Sequence, residues 1–510
     1  MLKNEKKLKK LEKLLYKGNI KGALKVADKN ADLLFVIALF ACEKGDHNRA
    51  EKVFDKVLQY EPDNVGAWFN KGIALSNLEK DEEAVLCFDE VLKRIPDNAE
   101  VWYSKGAALG NCEKHEEALF CFNTAVKIDP GNADAWYSKG IALECLGKYN
   151  EAVTCFDKAL KINPLHVDAW IEKGVTLDDL ENFKEAIYCY DQVLKIEPDN
   201  FDALLKKGLS LGNLGKYEEA VLLFDKVLKR DSRNAGAWFA RGITLGSLGT
   251  LDEALTCFDK ALTIEPDSAI IWYCKGEVLG NLGKYAEAVT CFDEIIKRNP
   301  GSAEAWSSKG VVLACSEDYD EALKCCDKAL KADPDNLEAW LTKGIVLETF
   351  EKFKQAMMCY DEVLKRNYDD VRAWHGKGIA LQNLGKHEEA ATCFDRIRTI
   401  DPGCAEAWSM EGVALTDCGE YDEALFCFDE ALRIDSCDAS FWLNKGITLK
   451  EIGRLDEAVT CFDEAITRAP DEVDAWFKKG VALTALGNLE EAAACFDVVA
   501  KIDPTFSEKT

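Results

Sequence analysis

The spacing of tryptophan constrains the fold of this chain more than any other feature of its 510 residues. Neighbouring tryptophans are 34 residues apart, or twice 34 at one place, where Leu204 fills the gap. Leu34 stands one period before the first of them, so fourteen repeats of 34 residues span residues 31–506 without insertion or deletion. A unit of this length cannot bury its apolar face alone, so neighbouring repeats must stack. The twelve tryptophans are Trp68, Trp102, Trp136, Trp170, Trp238, Trp272, Trp306, Trp340, Trp374, Trp408, Trp442 and Trp476.

Each repeat predicts two helices joined by a short polar turn. In the first helix Trp68, Gly72 and Leu75 follow helical spacing, and in the second Ala84 and Phe88 do the same. The glycine and the alanine are small, which would let the two helices approach closely. All eleven prolines stand at the end of a second helix, where proline stops the helix and the Asp, Asn or Ser that follows caps the next one.

The pattern W-x2-K-G-x2-L, then A-x3-F and then P, at a period of 34 residues, resembles the tetratricopeptide repeat. The resemblance covers residues 31–506 and implies an all-α solenoid of about 14 antiparallel helix pairs, stacked in a right-handed superhelix. It also implies that the first helix of each pair lines a concave groove for peptide segments. Residues 1–30 are expected to form an irregular N-terminal helical cap, and residues 507–510 a C-terminal tail.

One departure from the family's usual pattern is regular. A base precedes the glycine in every repeat from the second onward, with Glu411 as the exception. This variant resembles long prokaryotic arrays, those of archaeal methanogens in particular. An aspartate lies eighteen residues after most of these bases, as Asp89 does after Lys71. Two interpretations stay open: a ladder of ion pairs, or lysine stems that cover apolar surface while their charged ends and the aspartates are solvated.

Charge and composition argue against several functions. With 64 basic and 91 acidic residues the net charge is −27, so nucleic acid and anionic membranes are not expected as partners. No apolar run is long enough to span a membrane, and lysines occupy the N-terminus where a signal peptide is apolar, so a cytoplasmic location is expected. The repeats leave too few residues for a catalytic domain, so we predict neither an enzyme nor a cofactor site.

The cysteines predict packing rather than chemistry. Twelve of the 21 occupy one position of the second helix, as Cys87 does. Equivalent positions on stacked helix pairs lie about 10 Å apart, too far for a disulfide, so reduced and buried thiols are expected. Cys112 with His115, and the vicinal pair Cys325 and Cys326, supply too few ligands for structural zinc, so no metal site is predicted.

The residue after each tryptophan and the residue four positions later share one face of the first helix, and by resemblance this face lines the groove. It is mostly apolar, and an asparagine that suits bonding to a peptide backbone recurs near its end. Two interpretations of the apolar stripe stay open, a ligand surface or ordinary repeat packing. The candidate partner-binding residues are Phe69, Ile73, Asn77, Tyr103, Asn111, Tyr137, Ile141, Ile171, Val175, Leu205, Asn213, Phe239, Tyr273, Asn281 and Asn383.

Acidic residues gather at predicted groove positions in repeats 4 to 6. A basic peptide segment would suit this patch through electrostatic steering, and a solvated acidic surface is the alternative. The patch consists of Asp134, Glu144, Asp168, Glu172, Asp178, Asp179 and Asp202.

We therefore predict a non-enzymatic scaffold or adaptor that binds protein or peptide partners in the groove. The alternative is a structural protein that associates end to end through its last repeat, because no capping helix follows Pro504 to Phe506. The lysines of residues 1–30 favour either a polar cap over the first repeat or a basic arm that docks on an acidic partner.

Overall fold

The computed structural model describes residues 10–11, 13–16 and 19–503, and all regular structure in these residues is α-helical. From residue 31 onward, each repeat forms one pair of helices. The chain divides into two compact bodies, residues 1–264 and residues 265–510, which hold the helix pairs of repeats 1–7 and 8–14. Within each body, consecutive helices pack against each other. The predicted all-α solenoid of antiparallel helix pairs is confirmed.

The helices of the first body are named α1 to α15 in chain order. Residues 10–11 and 13–16, ahead of them, are helical as well. The bounds are α1 (Ile20–Ala27), α2 (Ala31–Glu43), α3 (His47–Tyr60), α4 (Val65–Ser76), α5 (Asp81–Leu92), α6 (Ala99–Asn111), α7 (His115–Ile128), α8 (Ala133–Cys145), α9 (Tyr149–Ile162), α10 (Val167–Asp179), α11 (Phe183–Ile196), α12 (Phe201–Asn213), α13 (Tyr217–Arg230), α14 (Ala235–Ser247) and α15 (Leu251–Ile264).

The second body continues the same alternation of first and second helices. The bounds are α16 (Ala269–Asn281), α17 (Tyr285–Arg298), α18 (Ala303–Cys315), α19 (Tyr319–Ala332), α20 (Leu337–Thr349), α21 (Phe353–Arg366), α22 (Val371–Asn383), α23 (His387–Ile400), α24 (Ala405–Cys418), α25 (Tyr421–Ile434), α26 (Ala439–Glu451), α27 (Leu455–Arg468), α28 (Val473–Leu486) and α29 (Leu489–Ile502).

Most first helices begin at a side-chain cap. Two residues after Pro62, Asn64 Oδ1 accepts the backbone N–H of Ala67 at 2.9 Å. The first helix of repeat 5 is capped by an imidazole instead: Nδ1 of His166 accepts the backbone N–H of Ala169 at 3.3 Å. The capping expected after the prolines is confirmed.

In the twelve repeats that have a tryptophan, its indole N–H donates to the loop that precedes the first helix. Trp68 Nε1 donates to the carbonyl oxygen of Pro62 at 2.8 Å. Trp238 Nε1 donates to that of Ser232 at 2.9 Å, so the bond does not depend on proline. All twelve tryptophans make this bond to the residue six positions earlier. The indole therefore fixes its helix against the end of the preceding repeat.

The glycine of the first helix lies against the aromatic ring of the second. A Cβ atom at Gly72 would lie 2.6 Å from a ring carbon of Phe88. The helices of one repeat approach too closely for a side chain at this position, which confirms the role expected of the small residues. In repeat 9 the sulfur of Cys326 takes the place of the ring, against Gly310.

The bases that precede the glycines form an ion-pair ladder, but it joins neighbouring repeats. Lys105 Nζ lies 2.6 Å from Asp89, sixteen residues earlier in the preceding repeat. The predicted pairing with an aspartate eighteen residues later, as of Lys71 with Asp89, is wrong. Lys71 lies one helical turn after Trp68 and shares its face, with its ammonium 5.6 Å from the indole centroid, and it pairs with Asp55 instead. The ladder includes Lys71–Asp55, Lys105–Asp89, Lys173–Asp157, Lys207–Asp191 and Arg241–Asp225 in the first body, and Lys309–Asp293, Lys343–Asp327, Lys377–Asp361, Lys445–Asp429 and Lys479–Asp463 in the second.

Glu411, the exception to the basic pattern, pairs with a base from the preceding repeat. Arg398 stands where Leu364 and Leu432 stand in the neighbouring repeats, and its Nε lies 3.2 Å from Oε2 of Glu411. Glu411 is only 8 % exposed. Burial raises the pKa of its carboxyl to about 7, with Arg398 opposing the rise and Asp395 adding to it. The two departures from the repeat pattern compensate each other.

The residues ahead of repeat 1 pack on its helix pair. Leu11 and Leu15 are buried in one cluster with Ile20 and Ala23 of α1 and Ile37 of α2. Residues 1–9, 12, 17–18 and 504–510 lie outside the described residues. The tail at residues 507–510 and the chain end on which the self-association hypothesis rests therefore stay predictions.

The twelve cysteines at the repeated position are buried, as expected of packing residues. Burial raises the pKa of Cys189 to about 12 and that of Cys87 to about 11. These thiols stay protonated at neutral pH and act as small apolar side chains.

The turn between the two helices of a repeat needs one residue whose backbone is in the left-handed conformation. This residue is Gly147 in repeat 4 (φ 71°) but Glu113 in repeat 3 (φ 59°). A side chain raises the energy of this conformation by about 1 kcal/mol. We expect Glu113→Gly to raise the urea midpoint of unfolding, whereas the charge-matched control Glu116→Gly, in the first turn of α7, lowers it. A fall in both midpoints would contradict the assignment.

A double-mutant cycle tests the compensation between Arg398 and Glu411. Arg398→Leu leaves a buried carboxylate without its cation, and Glu411→Lys sets two cations side by side. Each single change is expected to lower the free energy of unfolding by about 1–3 kcal/mol. The double variant restores the pattern of the other repeats, with a lysine near Asp395, and should regain most of the loss. Additive losses in chemical denaturation would refute the compensation.

Candidate peptide-binding groove

The predicted groove residues all lie on first helices or at their ends, and none of them is fully buried. The apolar ones are half-buried because they also pack on the second helix: the rings of Phe69 and Phe88 are 6.0 Å apart, as are those of Tyr137 and Phe156. One side of each such ring packs against the second helix, and the rest of the ring is accessible to solvent. Half-buried are Phe69, Ile73, Tyr103, Tyr137, Ile141, Ile171, Val175, Leu205, Phe239 and Tyr273, and exposed are Asn77, Asn111, Asn213, Asn281 and Asn383.

Three of these asparagines use part of their hydrogen-bonding capacity within the chain. Asn77 Nδ2 donates to the carbonyl oxygen of Ile73 at 2.8 Å, and Asn383 makes the equivalent bond at 2.9 Å. Asn111 Nδ2 lies 3.3 Å from the carboxylate oxygens of Asp81. An amide carries two N–H donors and a carbonyl acceptor, so each side chain keeps capacity for a ligand backbone.

The centre of the acidic patch consists of partly desolvated carboxylates on α8 and α10. Glu144 is half-buried, and burial raises the pKa of its carboxyl to about 7, with the charges of Glu172 and Asp179 adding to the rise. Burial also raises the pKa of Glu172, although Lys206 opposes this rise. The structure therefore brings these predicted acids into electrostatic contact.

Exposed acids surround this centre. Asp168, Asp179 and Asp202 are all exposed. Lys206 lies 3.7 Å from Asp202 and offsets part of the negative charge. Carboxylates that repel one another in a half-desolvated surface favour a bound cation, because its charge relieves the repulsion.

Two members of the predicted patch have structural partners. Asp178 accepts hydrogen bonds from the hydroxyls of Tyr190 and Ser210, each at 2.7 Å. Tyr190 stands where most repeats have phenylalanine, so this carboxylate satisfies a buried hydroxyl and links repeats 5 and 6. Asp134 Oδ1 lies 3.4 Å from Nε2 of His166. The two hydrogen bonds leave Asp178 less capacity for a ligand, whereas Asp134 is exposed and makes no hydrogen bond to the imidazole.

A cavity of about 600 Å³ in the second body, lined mostly by first helices, was not predicted from the sequence. The predicted residues Tyr273 and Asn281 line it together with Glu277, Ser307 and Ser308. Ser308 Oγ donates to the hydroxyl oxygen of Tyr273 at 3.3 Å. Ser307 stands at the repeat position that Tyr273 occupies in the preceding repeat, so its small side chain leaves space there. That departure was the signal from which the cavity could have been found.

Two kinds of site are absent from the part of the chain that the structure describes. None of its helices combines the length and the apolar character needed to cross a membrane. No group of three or more His, Cys, Asp or Glu residues in it is arranged to hold a metal ion.

The chain is similar to several solved structures. The Cut9–Hcn1 hetero-tetramer of the APC/C is 15 % identical with a TM-score of 0.38, over 95 % of this chain and 96 % of that chain. Naa15/Naa10 bound to HypK-THB is 14 % identical with a TM-score of 0.37, over 98 % and 94 %. YrrB, a TPR protein with an unusual peptide-binding site, is 25 % identical with a TM-score of 0.33, over 36 % and 95 %. No curated protein matches the chain significantly.

Family models settle the classification of the repeats. Five models described as tetratricopeptide repeat match residues 41–108, 99–132, 133–165, 167–200, 205–269, 273–337, 315–377, 371–404, 405–436 and 443–505. These matches cover most of the chain and agree with the helix pairs described above. The chain belongs to the tetratricopeptide repeat family.

Proposed function

We propose that the protein is a non-enzymatic scaffold that binds lysine- or arginine-rich segments of partner proteins in the groove of repeats 4 to 6. The observation that carries this proposal is the cluster of half-buried carboxylates around Glu144 and Glu172. Burial and mutual repulsion raise the free energy of the charged cluster, so a cation from a partner is stabilised there.

The apolar residues beside these acids suit the stems of basic side chains. Tyr137 and Ile141 on α8, and Ile171 and Val175 on α10, are half-buried. Lysine and arginine stems pack on apolar surface while their charged ends reach carboxylates. A segment in which basic and apolar residues alternate meets both kinds of surface.

The cavity in the second body supports a second contact for a basic partner. Glu277, Glu304 and Glu338 line it together with Tyr273. Arg372 lies 3.1 Å from Glu338 and offsets one of the three charges. Desolvation raises the pKa of the Tyr273 hydroxyl, with Ser308 opposing the rise, so this hydroxyl stays a neutral donor or acceptor. Each body therefore carries an acidic position on its first helices.

Matched charge variants test the groove of repeats 4 to 6. Glu144→Gln with Glu172→Gln is expected to weaken binding of a fluorescein-labelled peptide of alternating lysine and leucine by about tenfold, measured by fluorescence anisotropy. Glu151→Gln with Glu185→Gln removes the same charge from exposed residues of the second helices α9 and α11 and should leave the affinity nearly unchanged. Equal losses of affinity in the two double variants would show that the attraction to the peptide is nonspecific, which would contradict the proposal.

The pH dependence of binding tests the role of Glu144 itself. Its pKa is raised to about 7, so its carboxyl is ionised above this pH and neutral below it. Affinity for the basic peptide is therefore expected to rise between pH 6 and pH 8, where lysine stays charged. Glu144→Gln should flatten the profile in this window. A natural protein with a flat profile, or a variant that keeps the slope, would show that Glu144 does not contact the ligand.

A further inference from the structure

The cavity of the second body lies where repeat 9 has small side chains in place of a pair of rings. In repeat 8 the ring of Tyr273 on α16 packs against that of Phe292 on α17, with 5.9 Å between the centroids. Ser307 and Cys326 occupy the two equivalent positions of repeat 9, the one repeat with a small residue at both. The next repeat therefore places no ring beside Tyr273 at this position, and Tyr273 and Ser307 both line the cavity.

The walls of the cavity are negatively charged. Glu277 of α16, Glu304 of α18 and Glu338 of α20 line it, and none of the described residues that line it is a lysine or an arginine. Arg372 lies 3.1 Å from Glu338, whereas no base of the described residues pairs with Glu277 or Glu304. The charges of these two carboxylates are therefore left for a ligand.

Tyr273 lies close to both of these carboxylates. Desolvation raises the pKa of its hydroxyl, Ser308 opposes the rise, and the charges of Glu277 and Glu304 add to it. Ser308 Oγ donates to the hydroxyl oxygen at 3.3 Å. One aromatic ring is thus flanked by carboxylates from two successive first helices.

Apolar side chains complete the cavity. Val311 and Val312 of α18 line it together with Phe292. Its volume of about 600 Å³ is in the range of small-ligand sites, about 300–1,000 Å³. An aliphatic stem can pack on these residues while a polar end reaches the carboxylates.

We propose that this cavity binds an arginine side chain of the partner and prefers it to lysine. The guanidinium lies on the ring of Tyr273 and donates to the carboxylates of Glu277 and Glu304, and its stem packs on Val311. This inference rests on the proposed function, because it names the residue that the basic partner places in the second body.

The arrangement of the acceptors favours arginine over lysine. A guanidinium is planar and carries five N–H donors, so it can bond to carboxylates on two helices while its face stacks on an aromatic ring. An ammonium is a compact charge that holds its hydration shell strongly. The guanidinium is more weakly hydrated, so its transfer to the half-buried surface beside Tyr273 costs less.

Two peptides of equal length and charge test this preference. Fluorescein-labelled peptides of alternating arginine and leucine, or lysine and leucine, are titrated by anisotropy into the full chain carrying Glu144→Gln and Glu172→Gln. These two changes weaken binding in the groove of repeats 4 to 6, so the cavity dominates the signal. We expect the arginine peptide to bind at least about tenfold more tightly than the lysine peptide.

Further variants of this protein locate the preference in the cavity. Glu277→Gln with Glu304→Gln changes exposed side chains and should remove most of the preference, because the guanidinium loses both acceptors. The control Glu287→Gln with Asp320→Asn removes the same charge from exposed residues of α17 and α19 and should leave the preference intact.

A change of the ring gives a second test that does not alter the charge. Tyr273→Leu introduces the residue that Leu205 and Leu341 provide at this position in other repeats, so the repeat is expected to fold. The variant should weaken binding of the arginine peptide more than that of the lysine peptide, because only the guanidinium stacks on the ring.

Equal affinity for the two peptides would overturn this inference, as would a preference that survives the loss of Glu277 and Glu304. Neither result bears on the groove of repeats 4 to 6. That proposal fails separately, if Glu144→Gln with Glu172→Gln leaves the affinity of the natural protein for the lysine peptide unchanged.

Discussion

A hydrogen bond from an indole to a backbone carbonyl orients twelve of the fourteen repeats of this array. It holds the first helix against the loop before it, as Trp68 does with Pro62 at 2.8 Å. Once the indole is fixed, one face of the helix must pack on the preceding repeat, and the base one turn later reaches the aspartate there. The glycine next to that base meets the phenylalanine of the second helix. The residues that follow the tryptophan, such as Phe69 and Tyr137, stay only half-buried.

The residues that recur in every repeat already make contacts that the fold requires. A repeat that departs from the pattern therefore shows where one of these contacts is changed. Some departures are compensated by a second one, as Glu411 is by Arg398, or as Tyr190 is by Asp178. Others leave space, as Ser307 does in the second body where the preceding repeat has Tyr273. Compensated departures satisfy each other's charge or hydrogen-bonding groups, whereas the small side chain of Ser307 leaves a cavity in the second body.

The sequence predicted what depends on spacing within one repeat and missed what depends on packing between repeats. Helix pairs, caps and the close approach of glycine to the second helix follow from local positions. The ion-pair ladder was assigned to the wrong aspartate, because two aspartates lie at similar separations and only the packing of the tryptophan face decides between them. The partners of Asp178 and the cavity beside Ser307 depend on side chains from different helices, which the periodicity of the apolar residues does not reveal.

Carboxyl footprinting of the complex with a lysine-rich peptide tests the central claim, that the groove of repeats 4 to 6 binds basic segments. Glycine ethyl ester is coupled to accessible carboxylates with and without peptide, and the modified sites are quantified by mass spectrometry. We expect the peptide to protect Glu172 and Asp168 on α10 and to leave the labelling of Glu151 and Glu185 on the second helices unchanged. Protection confined to the second helices, or labelling that the peptide does not alter at all, would contradict it.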